Sequence, residues 1–313
     1  MIKEYVLGFF FFYLVCFLVI YNNIPMKTQT KTILEKVQNV QLIEKEFISV
    51  PLGVVRLGNH MWKYASGYGI AKTRDSNFCI EQPAYRFEGL FVGPFVKQCK
   101  SKPTKTVTEI KFGFCDNRFY KKYDNIKHIG FRRYFQCYNY FDEYRKDILS
   151  MFKIQSAYKT LAKEYLKKQL KYEYDKLTCF HYRLGDMARK NEGMTLPPKA
   201  FYLKVLSRVL KTGFSNHFLI ISDEPSKALK QLDFIKDYNI NTTISKADLR
   251  VDFTIMATLC DNIVFSRGTF AWWAAYLNTK ATIYYRDEFK NNYLSRDVNR
   301  DTYYLPEWIK ISI

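Results

Sequence analysis

The stretch Leu177-Thr178-Cys179-Phe180-His181-Tyr182-Arg183-Leu184-Gly185-Asp186 decides how the chain is read. Leu177–Tyr182 is an apolar and β-favouring run without a formal charge, as expected of a strand buried on both faces. Arg183 to Asp186 then breaks the run with a cation, a glycine and an anion. Downstream the pattern alternates. Pro198–Lys211 has helical periodicity, His217–Ser222 reads as a strand, and Pro225–Leu232 as a helix. Val251–Cys260 follows as a helix, Asn262–Ser266 as a strand, Thr269–Leu277 as a helix and Ala281–Tyr285 as a strand. Such alternation predicts a doubly wound α/β domain with a parallel sheet.

Upstream the same grammar is looser. Glu46–Pro51 predicts a short strand, and Leu52–Asn59 a loop containing Gly53 and Gly58. Met61–Lys72 is an amphipathic helix with Trp62, Ala65 and Gly69 on one face, and Phe78–Ile80 resumes a strand. The segment Gln82–Arg118 reads as irregular, and Arg145–Lys171 as one long charged helical region.

In open α/β sheets, ligands bind beyond the carboxyl ends of the strands. Three such ends carry polar groups. The first is His181-Tyr182-Arg183-Leu184-Gly185-Asp186, where a guanidinium can grip a phosphate at two points; an Arg–Asp pair bracing the loop is the plainer reading. The second is Ser222-Asp223-Glu224-Pro225, whose carboxylates suit a base or ribose, or a helix cap. The third is Ser266-Arg267-Gly268-Thr269-Phe270, entering a helix whose N-terminus offers donors to an anion. Trp272 and Trp273 on that helix read as core. The three ends together predict a site for a negatively charged, nucleotide-like ligand.

The 313-residue chain carries 49 Lys+Arg against 30 Asp+Glu, a formal charge of +19. A hydrophobic content of 48% and an aromatic content of 18% exclude a disordered chain. The basic residues are scattered along the chain rather than gathered in a block, although Lys97–Lys105 carries four lysines. A nucleic-acid-binding role would account for the charge but not for the N-terminus. Tyr5–Tyr21 contains no charged residue. As a helix it is about 26 Å long, enough for a thin bilayer. No small-residue cleavage pattern follows, so the segment reads as an uncleaved signal anchor rather than a signal peptide. Residues 22–45 are polar and read as a stem. Asn241-Thr242-Thr243 is a glycosylation sequon. Cys16 lies in the anchor; Cys79, Cys99, Cys115, Cys137, Cys179 and Cys260 form an even set that suits an oxidising compartment. No GxGxxG, P-loop, GxSxG, HExxH, CxxC or Asp-x-Asp occurs. A pyrophosphate leaving group would therefore be stabilised by Arg and helix dipoles, without a metal.

Four motifs, in order, resemble the α-1,2-fucosyltransferases of glycosyltransferase family 11. They are Arg56-Leu57-Gly58-Asn59-His60-Met61 with Tyr64-Ala65; Gly130-Phe131-Arg132-Arg133-Tyr134-Phe135-Gln136; His181–Asp186; and Asp252-Phe253 to Cys260 with Gly268-Thr269-Phe270-Ala271-Trp272-Trp273. The likeness spans about residues 46–290. It departs from the family at Val55 (for Gly), His60 (for Gln) and Leu184 (for Arg).

The resemblance implies a GT-B-like fold: two Rossmann-like domains facing a cleft, behind a single N-terminal transmembrane helix. The implied layout is a cytoplasmic tail at 1–4, the anchor at 5–21, the stem at 22–45, an acceptor-side domain at 46–160 and a GDP-fucose-binding domain at 161–313. It further implies a type II Golgi membrane protein with a lumenal body. This protein would transfer fucose from GDP-fucose to the 2-hydroxyl of a terminal β-galactoside, inverting the anomeric centre with no metal or other cofactor and no nucleic-acid partner. Arg183 would neutralise the β-phosphate. His181 and Asp223 would lie near the guanine or ribose. Asp252, Gly268 and Thr269 would help hold the nucleotide, and Asn59 would face the reacting centre from the acceptor side. Asp186 and Glu192 are the candidates for the base that deprotonates the acceptor. A relative that binds GDP-fucose without turnover is the alternative.

Overall fold

A computed structural model describes residues 46–53, 55–82, 87, 89–110, 114–123, 125–170, 175–185, 197–211, 216–265, 268–286 and 299–313. The expected tail, anchor and stem lie outside these residues. Among the described residues, no helix is long and apolar enough to cross a membrane.

Two parallel sheets carry the architecture. The first contains β1 (Phe47–Val50), β2 (Asn77–Ile80), β3 (Lys105–Thr108) and β4 (His128–Arg132), in the order β2-β1-β4-β3. The second contains β5 (Lys176–His181), β6 (Asn216–Ile221), β7 (Asn241–Ile244), β8 (Asn262–Phe265), β9 (Thr282–Tyr285) and β10 (Ile309–Lys310), in the order β10-β9-β8-β5-β6-β7. The expected parallel α/β class holds. β5 is central, paired with β6 through Cys179↔Leu219 and with β8 through Cys179↔Ile263. Its burial on both sides is what the uncharged run from Leu177 required.

The helices are α1 (Leu57–Thr73), α2 (Arg145–Met151), α3 (Ser156–Gln169), α4 (Lys199–Leu210), α5 (Pro225–Gln231), α6 (Leu249–Thr258) and α7 (Thr269–Leu277). α1 begins earlier than its apolar periodicity suggests. Arg56 is extended, and its carbonyl already accepts the N–H groups of Asn59 and His60. Arg145–Lys171 is not one helix. Between α2 and α3, Phe91 bridges Ile154 and the Gln155 N–H donates to the Leu90 carbonyl at 3.0 Å. These strand-like bonds take the backbone groups that a continuous helix would use. β3 lies inside the stretch expected to be irregular. Three of its four residues are exposed and only Val107 is buried, as befits an edge strand with little apolar signature.

α1 lies against β1 and β2, α7 lies against β8, and the two helices pack on each other. Trp62 of α1 meets Trp272 of α7 at 4.1 Å between ring centroids, and Trp273 stacks on Phe141 at 5.6 Å. All three tryptophans are fully buried, which confirms the core reading of Trp272 and Trp273. Truncating one to alanine would cost about 3–5 kcal/mol. The same apolar cluster runs under both sheets, and Lys45–Ile313 forms one compact unit. A second cluster, including Phe180, Tyr182, Leu184, Phe201 and Tyr202, covers the opposite face of the larger sheet. Three disulfides use the six cysteines outside the expected anchor: Cys79–Cys99, Cys115–Cys137 and Cys179–Cys260.

Candidate functional site at the carboxyl ends of the strands

The carboxyl ends of β5, β6 and β8 are neighbours because these strands are neighbours. Arg183 leaves the end of β5 half-buried. Its guanidinium lies against Gly268, whose φ of +100° opens the turn into α7. A Cβ at Gly268 would come within 3.2 Å of an Arg183 terminal nitrogen and 3.9 Å of the His181 ring. Glycine is required there on both counts: backbone conformation and space. His181 and Arg183 therefore both lie against the N-terminus of α7.

His181 is 8% exposed and stacks on Phe270 with centroids 5.5 Å apart. Its Nδ1 finds no hydrogen-bond partner among the described residues. Burial first, and then the adjacent Arg183 charge, lower its pKa to about 4. The imidazole is thus neutral at physiological pH, and it lies beside the Arg183 cation.

Asp223 takes a more local part. Its Oδ1 accepts the Leu184 N–H at 2.8 Å, and its Oδ2 is so near Gly185 that a Cβ there would sit at 2.7 Å. It clamps the Arg183–Gly185 turn from the end of β6, and does not cap α5; the Glu224 N–H instead bonds Ser222 Oγ at 3.1 Å. Leu184 is 2% exposed and points into the second apolar cluster. This position, one of the departures from the resembled motif, is filled here by a core side chain.

Asp252 lies in the first turn of α6, beyond β7, and is 8% exposed. It accepts the Ser245 hydroxyl. Burial, opposed by that hydrogen bond and assisted by Asp248, raises its pKa to about 7. A carboxyl group in this state can donate or accept at neutral pH.

The first sheet contributes the loop that leads into α1. Gly58 packs directly on Thr269: a Cβ at Gly58 would lie 2.5 Å from the Thr269 carbonyl carbon and 2.6 Å from its Oγ1. Asn59 follows, half-buried, with its Oδ1 accepting from Gln136 Nε2 at 3.1 Å. His60 Nε2 bonds the Gly53 carbonyl at 2.9 Å, fixing the loop that carries Val55. Thus Asn59, Gly58, Thr269, Gly268, Arg183 and His181 form a continuous surface spanning the ends of both sheets. Asp186 and Glu192 lie outside the described residues. Asn241, the expected glycosylation site, is exposed at the start of β7.

Sequence reasoning named Gln136 within a motif but gave it no task. It missed Glu109 altogether: the residue follows an edge strand and carries no motif, yet is fully buried against the loop after β4.

The profile of glycosyl transferase family 11 matches residues 20–312. No curated protein sequence matches the chain. Among solved structures, one of POFUT1 in complex with GDP is 15% identical, with a TM-score of 0.50, covering 77% of this chain and 97% of that one. A mutant of Arabidopsis thaliana FUT1 in complex with GDP is 11% identical, with a TM-score of 0.51, covering 83% of this chain and 75% of that one. At these identities the likeness is one of fold.

Proposed function

The chain belongs to glycosyl transferase family 11, and from that premise we propose that it transfers L-fucose from GDP-fucose to the 2-hydroxyl of a terminal β-galactoside. The observation that carries the reading is the meeting of Arg183, His181 and Gly268 at adjacent strand ends, with Gly58 and Asn59 delivered to the same place by α1. GDP is also the ligand in the POFUT1 and FUT1 structures of similar fold.

In this reading Arg183 faces the β-phosphate. As the bond from the fucosyl anomeric carbon to the phosphate oxygen breaks, negative charge grows on GDP and the guanidinium offsets it. The N-terminus of α7 at Thr269 adds backbone donors. His181, neutral at physiological pH, serves as a hydrogen-bonding wall rather than a second cation. Asp223 acts through the turn it clamps, keeping Arg183 aimed. Asp252 contributes a polar contact to the nucleoside. The acceptor hydroxyl attacks from the opposite side of the sugar, which inverts the anomeric centre. Its proton passes to a carboxylate, for which Asp186 and Glu192 are the candidates. Asn59 orients the acceptor.

The proposed layout keeps the GT-B-like division, with an acceptor-side domain at 46–160 and a donor domain at 161–313 facing a cleft. It adds a type II Golgi anchor at 5–21 and a glycan at Asn241, and requires no metal. The test is to incubate the full chain with GDP-fucose and phenyl β-D-galactoside in EDTA, then measure GDP release and product linkage. An α-1,2-linked product formed in EDTA is expected. GDP release that appears only after adding a divalent cation, or no product across a panel of β-galactosides, would overturn the proposal.

A further inference from the structure

Glu109 follows β3 and is 0% exposed. Its Oε2 accepts the Phe135 N–H at 3.1 Å, and its own N–H donates to the Arg132 carbonyl at 3.2 Å. The loop it holds, Arg133–Gln136, leaves the carboxyl end of β4. Two of its residues occupy the left-handed region without being glycine: Arg133 at φ +93° and Phe135 at φ +55°. Such a residue carries backbone strain and persists only where its surroundings overdetermine it. Here the surroundings are Glu109 on the Phe135 N–H and Ser66 Oγ on the Phe135 carbonyl at 2.8 Å. The next residue, Gln136, is 5% exposed and donates to Asn59 at 3.1 Å. A buried carboxyl is an expensive way to hold a surface turn and a reasonable way to hold a functional one.

We propose that Glu109 is a positioning residue: by fixing the strained Arg133–Gln136 loop it sets Gln136, and through it Asn59, on the acceptor side of the site. The inference rests on the fucosyltransferase reading for its kinetic consequence, but not for its structural one.

The groups facing Glu109 are Arg133 and the Tyr134 and Phe135 amides from the loop, and Asp116 and Tyr140 from two other segments. Burial dominates, raising its pKa from 4.5 to about 8. The native carboxyl is therefore protonated at neutral pH and resembles a glutamine in shape and charge. Because the folded value exceeds the unfolded one, this group's contribution to stability is fullest below about pH 4.5 and declines as pH rises to about 8.

Two variants separate the claim from simple misfolding. Glu109→Ala should raise the KM for phenyl β-D-galactoside by about tenfold or more, while GDP affinity by calorimetry stays within about twofold. Glu109→Gln should restore the acceptor KM and reduce the wild-type loss of melting temperature between pH 6 and pH 8, leaving the part that Asp252 contributes below about pH 7. An unchanged acceptor KM in the alanine variant, or an equal loss of GDP affinity, would overturn the proposal. If the wild type transfers no fucose, the functional reading fails separately. Amide exchange at Phe135 and Gln136 then decides the structural claim. Protection retained in wild type and Glu109→Gln but lost in Glu109→Ala sustains it, and equal protection in all three refutes it.

Discussion

The two sheets bring their strand ends to one place by different means. At the ends of β5, β6 and β8 the shape comes from regular strands, a glycine with an open φ, and short side-chain-to-backbone bonds such as Asp223 to Leu184. At the end of β4 it comes from two left-handed non-glycine residues held by a buried carboxyl and a buried serine. The first arrangement is written in local motif and repeats the general design of nucleotide sites in parallel sheets. The second is written only in contacts between distant residues. A nucleotide is a constant ligand and can be met by a generic device. Under the proposed function the second region would form the acceptor-side wall, and it is the region built with strain.

The largest expected effect sharpens the donor half of this comparison. Arg183→Ala should lower kcat by about 10²–10³ while the melting temperature stays within a few degrees. Near-normal turnover would remove Arg183 from its assigned role. The next concerns a residue that looks like donor machinery in sequence but packs as core. Leu184→Arg should lower stability by about 3 kcal/mol, because it places an unpaired charge among Tyr182, Phe201 and Tyr202, and should not tighten GDP binding. Higher GDP affinity in a stable variant would show that position 184 faces the phosphates.

A third variant tests the seam between the two regions. Gly58→Ala drives a methyl group into the backbone of Thr269 and should cost about 2 kcal/mol in denaturant unfolding. It should weaken GDP-fucose and acceptor together, unlike Glu109→Ala. An effect on the acceptor alone would break the link from Gly58 to the donor end. The smallest effect is a pH slope. Asp252, raised to about 7, binds a proton in the folded chain over a range where the unfolded chain has lost it. Its contribution to stability falls as pH rises from about 4 to about 7 and is level above that. Asp252→Asn should flatten that slope, gaining on the order of 1 kcal/mol over wild type at pH 8 relative to pH 6. Parallel profiles would mean that the carboxyl is ionised throughout.

The strand ends were legible because each motif sits next to an element with a clear period. His181–Gly185 follows an uncharged run and Gly268–Thr269 opens an apolar helix, so the sequence points to both ends. Asn59 was legible as part of a motif, but its partner Gln136, 77 residues away, was not paired with it beforehand. Glu109 had no signal, since a carboxylate after a mostly exposed strand reads as one more surface charge.

The sequence by itself determined the parallel α/β class, the strand ends that carry polar chemistry, the burial of Trp272 and Trp273, and an even set of cysteines outside the expected anchor. These follow from local periodicity and from residue types that tolerate few alternatives. Tertiary structure alone decided the break between α2 and α3, the disulfide pairing, the turning of Leu184 into the core and the burial of Glu109. Each of these depends on which distant segment supplies a hydrogen-bond partner or an apolar neighbour, and those distances are set only when the two sheets close on Trp62 and Trp272.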